Sequence, residues 1–109
     1  MTKDSKTGEG KLDWMLLPFD ALKEVVKVQE FGSTKYPIDS WKAMSGDYKR
    51  RYLNAAMRHM EAIISGEDLA GDSQLPHAAH LACNALFLTY FLLKEKGTDW
   101  TKYIEEEEL

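Results

Sequence analysis

Cysteine is almost missing from this chain of 109 residues, which has one, Cys83. No internal disulfide is therefore possible, and the fold must rest on its core. Cys83 lies between Ala82 and Asn84 in an apolar helical pattern, where a small core side chain is the expected role rather than a nucleophile. Long apolar runs are missing too. The longest, Leu81 to Leu93, is interrupted by Asn84 and Thr89 and is too short to span a bilayer. Met1 to Gly10 is polar and has no apolar signal region, so the cytoplasm is the expected location and no membrane partner is expected. Positive charge is not in excess: 14 Lys and Arg against 18 Asp and Glu give a net charge of −4. Duplex nucleic acid is thereby a poor partner, and a phosphate ligand would have to be met by a metal ion or a few local cations. Also absent are a glycine-rich phosphate loop, a GxSxG elbow, HExxH and zinc-finger spacings.

What is present is enough for one domain, with 44% hydrophobic residues. The reading is a disordered tail at 1–10, a helical domain over 11–104 and an acidic tail at 105–109. A short apolar segment from Leu12 to Leu17 stops at Pro18. The periodicity then predicts three main helices, at about 19–31, 47–65 and 74–96. In the first, Leu22, Val25, Val26 and Gln29 share a face that Ala21, Val28 and Phe31 widen, and Gly32 is the expected stop. Residues 33–46 form a loop that Trp41 is expected to pin to the core. In the second helix Leu53, Ala56, Met57, Met60 and Ile64 make the apolar stripe, and Gly66 ends it. Asp72 or Ser73 is expected to cap the third, with Pro76 in its first turn and Gly97 after its end. Asp99 to Ile104 suggests a last short helix. The third helix is apolar almost all round, which suits the centre of a bundle or a subunit interface. The fold class expected is all-α, a small bundle that pairs into a homodimer or higher homo-oligomer.

The strongest chemical signal sits on that third helix. His77, His80 and Asn84 are spaced i, i+3, i+7 and share one face amid apolar residues. Three polar side chains on a buried stripe are costly unless paired, either with backbone or in a working site. The second helix adds Asn54, Arg58 and His59. Two helices joined by a short loop pack antiparallel, and His59 and His80 then reach a similar height. The loop carries Glu67, Asp68 and Asp72, of which Asp68 reads best as an exposed turn residue. Histidine nitrogens with carboxylates suit a transition metal, whereas carboxylates alone suit magnesium. Lys35 and Arg58 are candidates for phosphate oxygens, and Tyr36 and Trp41 for stacking on a base. Each also has a plain alternative: a solvated lysine, packing aromatics, an arginine paired with a carboxylate. Glu24 is a candidate ligand or general base. From the residues alone this is a polar site between two helices.

Three stretches carry a resemblance: LLPFDALKEVVKVQEFGSTKY (16–36), YLNAAMRHMEAIISGED (52–68) and DSQLPHAAHLACNALFL (72–88), with Trp41 between the first two. In order they give FG-x2-KY, RH, GE and DS-x3-H-x2-H-x3-N. In these the chain resembles the phage dATP/dGTP diphosphohydrolase N-terminal domain family. The resemblance implies a MazG-like, all-helical nucleotide pyrophosphohydrolase that cuts a purine deoxynucleoside triphosphate to monophosphate and pyrophosphate with a divalent metal, magnesium or manganese. It makes His59, Glu67, Asp72, His77 and His80 the metal-proximal set and gives Glu24 and His59 the catalytic roles. Lys35, Tyr36, Trp41, Arg58 and Asn84 would contact substrate, Asn84 by orienting a histidine or a water. The chain departs from the wider MazG pattern in lacking EExxE followed by ExxD. Ser40 and Ala70 stand where the closer family suggests asparagine and aspartate. The missing acidic cluster keeps a second expectation alongside the enzyme, a phage protein that binds and sequesters a nucleotide without turnover. A third is a helical dimer with merely structural histidines.

Overall fold

A computed structural model describes residues 10–37, 40–43 and 46–96. Among the described residues there are three α-helices: α1, Phe19–Ser33; α2, Tyr48–Ile64; and α3, His77–Glu95. Short 3-10 turns at Trp14–Leu16 and Ser40–Ala43 precede α1 and α2. The described residues contain no β-strand, only an isolated antiparallel bridge between Leu69 and Pro76. The all-α bundle is therefore as the periodicity indicated. The expected tails, Gly97 and the suggested helix at Asp99 to Ile104 lie outside the described residues, apart from Gly10.

α3 is the central element, packed against both α1 and α2. On one side Ala79 and Cys83 meet Val28 of α1, with Val25, Leu75 and Phe87 around them. On the other Phe91 meets Tyr48 and Tyr52 of α2, with Trp41, Phe87, Leu88 and Tyr90. Trp41 stacks on Phe87 at a 4.3 Å centroid distance and meets Tyr90 edge-on at 4.9 Å, so it does pin the loop to the core. None of the described helices is long and apolar enough to cross a membrane.

Four local expectations are corrected. Gly32 lies inside α1 rather than ending it; the Ser33 and Thr34 hydroxyls donate to the Glu30 and Phe31 carbonyls and close the last turn. Val26 and Ala21 face outward, leaving Val28 as the buried residue of α1. In α2 the inward face is Tyr48, Tyr52 and Ala56, whereas Leu53, Met57, Met60 and Ile64 are exposed. α3 starts at His77 with Pro76 as its cap residue, and no side chain of Asp72 or Ser73 caps it. The reason is local: a residue before proline is disfavoured in the α region, and Leu75 precedes Pro76. The Leu69–Pro76 bridge then holds the segment extended. Gly66, at φ +95°, ends α2 as expected.

Candidate functional site

The loop between α2 and α3 is tied to itself by its backbone. Ala70 N–H donates to the Leu75 carbonyl, Gln74 N–H to the Ala70 carbonyl and His77 N–H to the Asp68 carbonyl, each at 2.8 Å. Gln74 adopts φ +61°, a conformation costly for a side chain other than glycine, and its amide donates to the Gly71 carbonyl at 2.9 Å. This fastening carries Glu67 and Ser73 onto the histidines.

All three histidines come together, as their helix positions suggested. His59 of α2 lies with its Nδ1 2.8 Å from Nδ1 of His77. Its ring also stacks on that of His80, at 4.8 Å between centroids and 13° between planes. His77 is buried, and its Nε2 is 2.8 Å from Oε2 of Glu67. Nε2 of His80 is 2.8 Å from the Ser73 hydroxyl, which also accepts from Leu75 N–H. Burial pushes the His59 imidazole below the usual histidine range, and the neighbouring His80, His77 and Arg58 push the same way. Burial likewise lowers His80, with Asp72 opposing. Both rings are therefore neutral near pH 7, which lets them stack without charge repulsion.

Two more expected residues reach the rim. Lys35, beyond α1, places its Nζ 3.4 Å from Oδ2 of Asp72 and 4.5 Å above the Phe31 ring. Asp72 is held below the usual carboxylate range by the Ser73 N–H at 2.7 Å, with help from Lys35. Asn84 is buried, but its amide donates to the His80 backbone carbonyl, so it braces the helix and makes no bond to a histidine ring. Trp41 is taken up by the aromatic core. Tyr36 and Arg58 are exposed, Arg58 one residue before His59. Glu24 is paired with Lys27 of its own helix at 2.8 Å. Cys83 has its thiol raised to about 11 by burial, as befits a core residue.

Among the described residues no three His, Cys, Asp or Glu side chains are grouped so as to hold a metal ion. His59 Nδ1, both ring nitrogens of His77 and Glu67 Oε2 are engaged with one another instead. The set as arranged does not fit a resident metal centre. Ser73 joins the cluster although it was no candidate for the site. Expected as a cap candidate, it partners His80 instead.

Comparison with known proteins supports the resemblance. A curated protein of Salmonella phage PMBT28, named dATP/dGTP diphosphohydrolase, is 29% identical over 93 residues. The match covers 85% of this chain and 31% of that protein, so the chain spans about a third of its relative's length. No solved structure matches. Residues 1–101 match the family described as dATP/dGTP diphosphohydrolase, N-terminal, and the chain belongs to that family.

Proposed function

We propose that this domain binds a purine deoxynucleoside triphosphate, dATP or dGTP, at the histidine cluster and takes part in its hydrolysis to monophosphate and pyrophosphate. The observation that carries the proposal is the meeting of three histidines with the Glu67 carboxylate and the Ser73 hydroxyl between α2 and α3, in a family described as dATP/dGTP diphosphohydrolase, N-terminal. Water adds to phosphorus at the α–β bridge, the bridging P–O bond breaks and pyrophosphate leaves. The proton lost by the water needs an acceptor, and a neutral histidine is a good one near pH 7. His59, neutral and central in the cluster, fills that role. The Lys35–Asp72 ion pair is long and exposed, so it holds little energy and leaves Lys35 free to turn to a phosphate. Arg58 is the second phosphate contact. Magnesium or manganese enters with the triphosphate as part of the substrate. Such an ion keeps most of its bonds to phosphate and water and takes only one or two protein carboxylates.

A second reading has its own support: the chain lacks the acidic cluster, EExxE followed by ExxD, of the wider MazG pattern. Under it the domain binds the nucleotide and performs no turnover by itself. One assay separates the two. The metal-stripped protein is incubated with dATP or dGTP, with and without magnesium or manganese, and products are resolved by ion exchange. Monophosphate formed with metal, and lost by about 10²–10⁴-fold in His59→Ala, supports catalysis. Nucleotide that is bound yet returned intact supports the binding module. Nucleotide neither bound nor cut overturns both.

We also propose a homodimer that covers the outer face of α2, where Leu53, Met57, Met60 and Ile64 form a continuous exposed apolar stripe.

A further inference from the structure

We propose that Glu67 and His77 form a relay that fixes the His59 imidazole in its Nδ1–H form, so that Nε2 of His59 is the bare lone pair of the site. The inference deepens the catalytic reading above and rests on it for its chemistry, but the tautomers themselves are a property of the free protein.

The donors and acceptors along the chain of contacts fix where the protons lie. An ionised carboxylate only accepts, so the 2.8 Å contact between Glu67 Oε2 and His77 Nε2 requires a proton on that nitrogen. A neutral imidazole carries one N–H, so His77 Nδ1 is then the acceptor. The next contact, 2.8 Å between the Nδ1 atoms of His77 and His59, needs one proton between them, and only His59 is left to supply it. His59 therefore carries its hydrogen on Nδ1 and a lone pair on Nε2. The reverse order would aim the His77 Nε2 lone pair at the carboxylate, or would put a full positive charge on His77.

Three features make this a working arrangement. His59 Nε2 has no hydrogen bond to any described residue, and no histidine nitrogen is among the buried polar atoms left without a partner, so solvent reaches it. The His80 ring stacked on His59 restricts rotation of the imidazole and its exchange of nitrogens. When Nε2 takes a proton, the positive charge is shared through the two Nδ1 atoms toward Glu67, whose carboxylate stabilises it. Glu67 and His77 are thus positioning residues, and the proton-accepting atom is His59 Nε2. This also accounts for why the histidines, expected to face a metal, face one another.

The test is a long-range proton–nitrogen correlation spectrum of the ¹⁵N-labelled, nucleotide-free protein, recorded at about pH 8, where histidines are neutral. The expected result is Nδ1–H on His59 and Nε2–H on His77. Nε2–H on His59, or a doubly protonated His77, overturns the proposal. Glu67→Ala removes the anchor at an exposed side chain, where folding is little affected. In that variant the single His59 tautomer is lost and an Nε2–H signal emerges. An unchanged His59 spectrum in the variant overturns the relay even if the wild-type tautomers are as stated. Because no turnover is needed, correct tautomers with no nucleotide hydrolysis would remove the catalytic reading and leave the relay standing.

Discussion

His59 has an imidazole on two sides, bonded to His77 and stacked on His80. That crowding has a cost that pH exposes. His59 and His80 both have lowered affinity for protons in the fold, first through burial. An unfolded chain takes up protons at these residues near pH 6.5. Below that point the unfolded state binds more protons than the folded one, so stability falls as pH falls. The loss begins near pH 6.5 and runs down through the lowered values of the folded state. Asp72, also lowered, adds a loss in the same direction only further into acid. The thermal midpoint is therefore expected to drop steadily from about pH 7 to about pH 5, and to drop less in a His59→Asn variant. A flat or rising midpoint over that range, followed by calorimetry, would show that the cluster does not resist protonation. Cys83 plays no part in this balance, since its raised thiol stays neutral throughout.

At the scale of the helices, α2 shows what periodicity can and cannot decide. Its sequence has two apolar stripes, Tyr48–Tyr52–Ala56 and Leu53–Met57–Met60–Ile64, and both have helical spacing. The second, with Ala56 beside it, is the more aliphatic and is the face the periodicity predicts inward, yet of that set only Ala56 is buried. In the structure the first one packs, because its two tyrosines complete the aromatic cluster of Phe91, Phe87 and Trp41. Nothing in a spacing pattern of one helix records which partner surface it must match. α3 was easier to read, because a helix apolar on every side has little choice but the centre. The stripe left outside is the basis of the dimer proposal, and it gives a direct expectation. Met57→Glu, placing a charge at a 60% exposed position, should cost the monomer fold little and convert dimer to monomer in light scattering. A variant that keeps the wild-type mass, or a wild-type chain that is already monomeric, would contradict the proposed dimer.

Taken as a whole the molecule is acidic, yet the ligand proposed for it is a polyanion. The net charge of −4 gives no general attraction, so recognition falls to Lys35, Arg58 and the ion that travels with the triphosphate. The candidate site was legible in part. His59, His77 and His80 could be brought together from helix spacing and a short antiparallel connection, and they do meet. The pairing of Ser73 with His80 and the hand-over from Glu67 to His77 could not, because both depend on a loop fastened by its backbone and by Gln74 in a strained conformation. Such a loop leaves no periodic trace. The histidine cluster is the proposed place of nucleotide binding. The measurement that tests it most directly is a titration of the ¹⁵N-labelled protein with magnesium-bound dATP and dGTP, following the ring signals of the three histidines. Saturable shifts of the His59 and His80 signals are expected, weakened in a Lys35→Ala variant. Histidine signals that stay fixed while nucleotide binds elsewhere, or that stay fixed because none binds, would contradict it.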